Sequence, residues 1–267
     1  MGREDDSCVD ASTSIARDTT GNLFIDRLAV GPRKRLTAHL TRVSLKHGDM
    51  VYEPDVAMAR VLFPIHSVVS VVTEMVDGSI IEVGFIGREG MTGLPIALGT
   101  DKVAQRALVQ IPDSALSISA ADFEDCLRAE PELRAWCLRY AQAVLASVSQ
   151  FAACNKLHSV NERCARWLLM AHDRVPGDVI LLTHLFLSQM LGVRRAGVSV
   201  AAATLQAAGF IDYSNNGRIY VRDRPGLESA ACECYAVVER QWEQIFGYSV
   251  RKVVPDGRAA SREAESA

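Results

Sequence analysis

The chain has 267 residues, 49% of them hydrophobic, and a formal net charge of −3. That length suits one large domain or two smaller ones, and the acidic balance excludes a protein that coats nucleic acid by overall basicity, so any DNA contact must come from a local basic patch. No run of about 18 apolar residues exists, which argues against a membrane span, and the seven cysteines lack the spacing of a disulfide framework, so a reduced, cytoplasmic protein is expected.

The first twenty residues carry Glu4, Asp5, Asp6, Asp10 and Asp18 and no apolar h-region, which predicts a disordered acidic tail over 1–20 rather than a secretory signal. From 40 to about 118 the texture is β. Runs rich in Val and Ile at 60–65, 67–74 and 79–83 alternate with the turn formers Lys46-His47-Gly48-Asp49 and Asp77-Gly78. Asp-Gly between two apolar runs is a hairpin signal, and several such units at short spacing predict an antiparallel roll or barrel.

The texture changes at Ser119, which with Asp122 resembles a capping box and opens a helix. Pro131 suits the first turn of a longer helix. Its apolar positions Leu133, Cys137, Tyr140, Val144, Val148 and Phe151 draw one continuous stripe, which either packs on its own domain or forms a dimer seam. Ser159 and Glu162 make a second capping box, and the helix they open ends at Val175-Pro176-Gly177-Asp178.

The segment 183–222 carries the functional signal. Thr183 caps a short helix over 185–191, Gly192 supplies a left-handed turn, and a second helix runs to Ala208 and stops at Gly209. Ser188 lets the helices cross closely, and Val193 and Val198 plug the space between them. This is the helix-turn-helix design. Residues 210–213 and 218–221 read as two strands around the turn 214–217, and a hairpin after a recognition helix is a wing. The segment holds four arginines, Arg194, Arg195, Arg218 and Arg222, against one acid, Asp212, which reverses the sign of the whole chain as phosphate binding requires. Arg194 and Arg195 stand where base-edge contacts originate, Ser199 lies a turn further on, and Gly197 lets the backbone approach DNA. Thr183, Ser214, Asn216 and Arg218 are candidate phosphate contacts.

Over roughly residues 21–225 the chain resembles the Crp/Fnr family of bacterial transcription regulators. The C-terminal resemblance rests on Leu182-Thr183, Gln189-Met190-Leu191-Gly192-Val193, Arg195 and the run from Thr204 to Ile211. In the β region it rests on His47-Gly48-Asp49, on 61–65, on Asp77-Gly78, and on the run from Phe85 to Gly93. The resemblance implies an α+β protein. It has a β-roll sensor like a cyclic-nucleotide-binding domain (21–130), a dimerisation helix (131–157) and a winged helix-turn-helix domain with a C-terminal helix (158–247). A flexible tail (248–267) follows. It also implies a homodimer on a palindromic operator, with double-stranded DNA, RNA polymerase and an unknown small-molecule effector as partners.

Two departures bear on the ligand. The family's Gly-Glu-Leu is here Gly93-Leu94-Pro95, without the carboxylate that holds the ribose. Aligning on Ala107 puts Gln105 where the phosphate-binding Arg belongs, with Arg106 one position late, and a one-residue shift turns a strand side chain to the other face. A roll that does not bind cyclic AMP is expected, and Gly93, Leu94, Gln105 and Arg106 mark the degenerate pocket. On the recognition helix only Arg195 matches, followed by Ala196-Gly197 and Val200, so the operator should differ from that of the cyclic-AMP-responsive relatives.

No cofactor or metal is expected. An N-terminal iron–sulfur cluster would need several cysteines where only Cys8 stands. The C-x-C of Cys232 and Cys234, with Cys154 and Cys164 elsewhere, reads as buried packing, and His47, His66, His158, His172 and His184 show no ligand spacing. No nucleophile elbow, P-loop or dinucleotide turn exists, and Gly87-Arg88-Glu89-Gly90 reads as a turn, so an enzyme is not expected. The competing reading is a ligand-binding module whose winged helix binds protein, which a weak salt dependence of DNA binding would reveal.

Overall fold

The computed structural model describes residues 19–214 and 217–251. Two short helices, α1 (Leu23–Asp26) and α2 (Val30–Thr37), precede seven strands: β1 (Thr41–Leu45), β2 (Met50–Tyr52), β3 (Arg60–Pro64), β4 (Val68–Glu74), β5 (Ile80–Ile86), β6 (Arg106–Ile111) and β7 (Asp113–Ser119). A short helix, α3 (Leu94–Ala97), interrupts them between β5 and β6. The strands form two antiparallel sheets, ordered β1-β7-β3 and β2-β6-β4-β5. Val69, Ala107, Val109, Leu62 and Ala115 alternate inward to fill the space between them. The resulting roll matches the expectation from the Val/Ile runs, and Asp77-Gly78 closes the β4–β5 hairpin with Gly78 at φ 79°.

Helix α4 (Ala120–Ala129) starts where predicted, with the Ser119 hydroxyl accepting from Asp122 N–H. Pro131 then opens α5 (Pro131–Leu157), 27 residues long. Helix α6 (Val160–His172) begins at a complete capping box of Ser159 and Glu162. There follow β8 (Val179–Leu181), α7 (His184–Leu191), α8 (Arg195–Ala207), β9 (Ile211–Ser214), β10 (Arg218–Val221), α9 (Arg224–Ala230) and α10 (Cys234–Phe246). Strand β8 joins the hairpin, so the wing is a three-stranded sheet in the order β8-β10-β9.

Two of these placements differ from the sequence reading. Leu133, Cys137 and Tyr140, assigned to a dimer seam, are buried in their own chain. The reason is α10, which runs along α5. Trp242 stacks edge-on against Tyr140 at 5.8 Å, and Phe246 against Trp136 at 4.9 Å. Val144 and Phe151 are partly buried in the same cluster, and of the six only Val148 is exposed. The exposed apolar row of α5 is instead Leu138, Leu145 and Val148. The second difference is at the C-terminus. Tyr248 and Val250, assigned to a flexible tail, are buried in the cluster that holds α1 and α5, because the chain after α10 turns back onto the base of the roll, where Arg27 lies over the Tyr248 ring at 5.2 Å.

The roll and the winged helix are joined by polar contacts inside an apolar seam. Val68, Val72 and Ile111 of the roll share one cluster with Trp167, Leu168 and the helices behind them. Within it the Trp167 indole donates to Glu82 at 3.0 Å, and Arg174 pairs with Glu89 at 2.8 Å, both side chains almost fully buried. The Gly87–Gly90 turn is built for this contact. A Cβ at Gly87 would lie 2.5 Å from Arg174 Cδ, and one at Gly90 2.3 Å from the Tyr140 hydroxyl.

Candidate nucleic-acid interface

Helix α7 is capped by Thr183, whose hydroxyl accepts from Phe186 N–H at 3.2 Å. It ends at Gly192 in the left-handed region, φ 61°. A side chain there would be strained by the backbone and would also strike Ile81 Cδ1 at 2.8 Å, since the turn abuts strand β5 of the roll. Ser188, Leu187 and Leu191 on α7 face Val198, Ala201 and Leu205 on α8, all buried. The two helices therefore cross closely around small residues, and the outward row of α8 is fixed by what its inward row buries.

That outward row begins with Arg194, the N-cap of α8, and Arg195, its first residue, both exposed. Among the described residues no carboxylate pairs with either, so two cations stand at the positive end of a helix dipole with nothing to neutralise them. Gly197 follows, and a Cβ there would meet nothing within 4 Å, so no internal packing demands a glycine at that place. Ser199 is tethered from both sides. Its hydroxyl lies 3.2 Å from His184 Nδ1 and 3.1 Å from the Arg195 carbonyl. His184 in turn stacks on Tyr213 at 4.1 Å, and burial, with the charge of Arg195, lowers its pKa.

The wing is fixed to α7 by the Leu182 N–H, which donates to the Gly217 carbonyl at 2.7 Å. Arg218 is exposed on β10, opposite Leu181 and Ser214 in the sheet register. Asn216 and the side chain of Ser214 lie outside the described residues. Arg222 is paired with Asp212 at 3.1 Å and lies over Tyr220. The structure adds two residues to the surface read from sequence, and places Val200, already read as a recognition-helix position, on that surface. Val200 is 63% exposed one turn beyond Ala196. His184 and Tyr213 form a stacked pair against the recognition helix. Val200 was legible as an apolar residue off the buried row, whereas the ring pair depends on α7 meeting β9 and has no local signal.

The degenerate ligand residues fall on different elements. Gly93 is buried, and a Cβ there would lie 2.3 Å from Val61, while Leu94 opens α3. Gln105 precedes β6. Arg106 opposes Val72 in the register, and its neighbour Ala107 is the residue that faces the interior between the sheets. Arg106 therefore points away from that interior, where it pairs with Glu74 at 3.1 Å.

Residues 162–230 match the family described as the Crp-like helix-turn-helix domain. Several solved structures have the same fold over most of the chain. FixK2 from Bradyrhizobium japonicum is 18% identical with a TM-score of 0.62, covering 72% of this chain and 98% of its own. A CRP-family transcriptional regulator from Thermus thermophilus is 18% identical with a TM-score of 0.58, covering 80% and 100%. The c-di-GMP-responsive global regulator CLP from Xanthomonas campestris is 16% identical with a TM-score of 0.57, covering 72% and 99%. No curated protein matches the sequence.

Proposed function

From the premise that this chain carries a Crp-like helix-turn-helix domain within the fold of the Crp/Fnr transcriptional regulators, we propose that it binds a palindromic operator as a homodimer. The observation that carries the reading is the pair of exposed arginines at the N-terminus of α8, which no carboxylate among the described residues pairs with. In a winged helix this end enters the major groove, and one Arg there can bond guanine O6 and N7 together. Arg195 reads base, Arg194 and Arg218 hold phosphate, and Thr183 offers its backbone at the N-terminus of α7 to a phosphate. Val200 supplies an apolar contact of the kind that selects a thymine methyl. Gly197 leaves room for the backbone to approach.

The second copy is placed on the outer face of α5. Leu138, Leu145 and Val148 are exposed there at intervals of seven and three residues, the a/d spacing of a coiled-coil seam, and Ala141 and Ala152 continue the row. The opposite face is already filled by α10, so a second chain has one apolar side to meet. Two α8 helices would then enter successive major grooves about 34 Å apart. The roll senses something other than cyclic AMP. Arg106 is engaged by Glu74 outside the sheet interior, and Leu94 stands where a ribose-binding carboxylate would be needed. RNA polymerase and a small-molecule effector complete the partners in this reading, and the winged helix acts on DNA rather than on protein.

Selection of binding sites from a random DNA pool tests this, with wild type and Arg195→Ala side by side. Wild type is expected to enrich a two-fold-symmetric motif, and Arg195→Ala to lose one base preference in each half-site. Enrichment of an unsymmetric motif would sink the dimer, and absence of any enrichment at low salt would sink the DNA-binding reading. Tight binding of cyclic AMP in a calorimetric titration would overturn the ligand part alone.

A further inference from the structure

Four metal-binding side chains converge where α5, α9 and α10 meet, a place with no part in the proposed DNA contact. Cys154 lies on the last turn of α5, and His158 is the extended C-cap of that helix, whose N–H donates to the Cys154 carbonyl at 3.1 Å and so holds the two residues together. Cys232 and Cys234 flank Glu233 at the break between α9 and α10, which turns both sulfurs toward them. The four ligand atoms all lie within 4.8 Å of one another. Cys154 Sγ is 3.5 Å from Cys232 Sγ, and Cys234 Sγ is 3.6 Å from His158 Nδ1.

These separations have a chemical meaning. Zinc bound tetrahedrally at about 2.3 Å from sulfur and about 2.0–2.1 Å from nitrogen sets sulfur–sulfur edges of about 3.8 Å and sulfur–nitrogen edges of about 3.6 Å. The cluster therefore has the size of one ion. A multi-iron cluster spreads its thiolates over several irons, which needs a wider opening than this. A disulfide between Cys154 and Cys232 would use two of the four groups and leave the approach of Cys234 and His158 without purpose.

Three further features fit a metal. First, the histidine is oriented for ligation. Nδ1 faces the sulfurs while Nε2 lies 3.1 Å from the Glu233 carboxylate, the arrangement that fixes the tautomer of metal-bound imidazoles. Second, Gln150 Nε2 donates to Cys234 Sγ at 3.0 Å, a bond that favours thiolate. Third, Arg163 and Arg166 are buried beside the cluster, and among the described residues no carboxylate pairs with either. Each leaves its Nε without a hydrogen-bond partner. Two buried cations demand negative charge nearby, and three thiolates around a divalent ion carry a net −1.

We propose that Cys154, His158, Cys232 and Cys234 bind one zinc ion in a Cys₃His site. The ion ties the end of α5 to the start of α10 and so fixes the winged helix against the helix that carries the second copy. Binding releases the thiol protons to solvent and needs no electron transfer.

The test uses the full chain purified under reducing conditions. Metal analysis is expected to return one zinc per chain. Replacement by cobalt(II) should give the visible bands of a tetrahedral ion together with thiolate-to-cobalt charge transfer. Glu233 is exposed, so Glu233→Gln keeps the fold while lowering zinc affinity by about 10–100-fold, as loss of an outer carboxylate does. Cys232→Ser with Cys234→Ser should abolish the charge-transfer band. A reduced wild-type chain that takes up no stoichiometric zinc or cobalt overturns the proposal. So does a cobalt spectrum that the Cys232→Ser/Cys234→Ser variant leaves unchanged. Recovery of a Cys154–Cys232 disulfide from a chain that binds no metal when reduced would replace the site with a thiol switch.

Discussion

The outward end of α8 and the buried back of the same domain treat arginine in opposite ways. At the end of α8, Arg194 and Arg195 stand in solvent, and among the described residues no carboxylate pairs with either. At the back, Arg174 is held by Glu89, and Arg224 by Asp173 at 2.6 Å with the Tyr235 hydroxyl beside it. Between these extremes Arg163 and Arg166 are buried, and among the described residues no carboxylate forms an ion pair with either. The difference teaches what each charge is for. An exposed cation loses little by waiting for a phosphate, a buried one must be neutralised inside the fold, and a buried cation without a carboxylate points to an anion of another kind.

The largest effect should come from breaking a buried pair. Arg174→Met leaves Glu89 charged in the seam between roll and winged helix, and we expect a loss of about 3–5 kcal/mol in denaturant unfolding. Arg174→Met with Glu89→Met should recover much of it, because no charge is then stranded. A single-variant loss under about 1 kcal/mol would mean that the pair is solvated and does not join the domains.

Glu82 tests the same seam through pH. Burial raises its carboxyl to about 7, against the hydrogen bonds from Ser70 and Trp167 and the charges of Arg166 and Arg174. A carboxyl with a raised folded pKa stabilises the fold when protonated. That stability is full below about pH 4.5, is lost as pH rises toward 7, and stays lost above it. The shift corresponds to at most about 3 kcal/mol. Glu82→Gln should flatten the unfolding free energy over this window and gain stability at pH 8. A slope unchanged by the substitution would assign it to other groups.

How far the sequence anticipates these features depends on how local they are. The N-cap at Ser119, the capping box at Ser159, the Gly192 turn and the Asp77-Gly78 hairpin are each decided within a few residues, and each forms where its pattern stands. Arg194 and Arg195 were legible for the same reason, since a helix start fixes what projects from it. The stripe of α5 was not. Leu133, Cys137 and Tyr140 have the spacing of a seam, but spacing cannot say whether the partner is a second chain or Trp242 and Phe246, about a hundred residues on. The sulfur cluster was less legible still. Cys154 and His158 lie far along the chain from Cys232 and Cys234, neither pair has a metal signature alone, and only the return of α10 along α5 brings them together.

On the exposed side the effects should be smaller and confined to DNA. Arg195→Ala should cost about 1–3 kcal/mol against the preferred base and nothing measurable in folding. Arg194→Ala should weaken all sequences alike and lower the slope of log affinity against log salt by about 0.9, the value of one phosphate contact. If Arg194→Ala instead changed base preference with an unchanged slope, the two roles would be exchanged.

The smallest effect is expected at Arg222, which sharpens the contrast because it is exposed and yet already paired. Asp212 holds it at 3.1 Å across the wing, with both side chains more than half exposed. A pair so solvated contributes little, so Arg222→Ala should move folding stability by less than about 1 kcal/mol. Its effect on DNA should also be slight, since the charge it would bring to a phosphate is offset by the acid beside it. The discriminating variant is Asp212→Asn, which frees Arg222 while keeping the side-chain volume. Freed, Arg222 would resemble Arg194, and the salt slope should steepen by up to about 0.9. A slope that does not move would place Arg222 beyond the reach of the phosphates, and the contact surface would then end at Arg218.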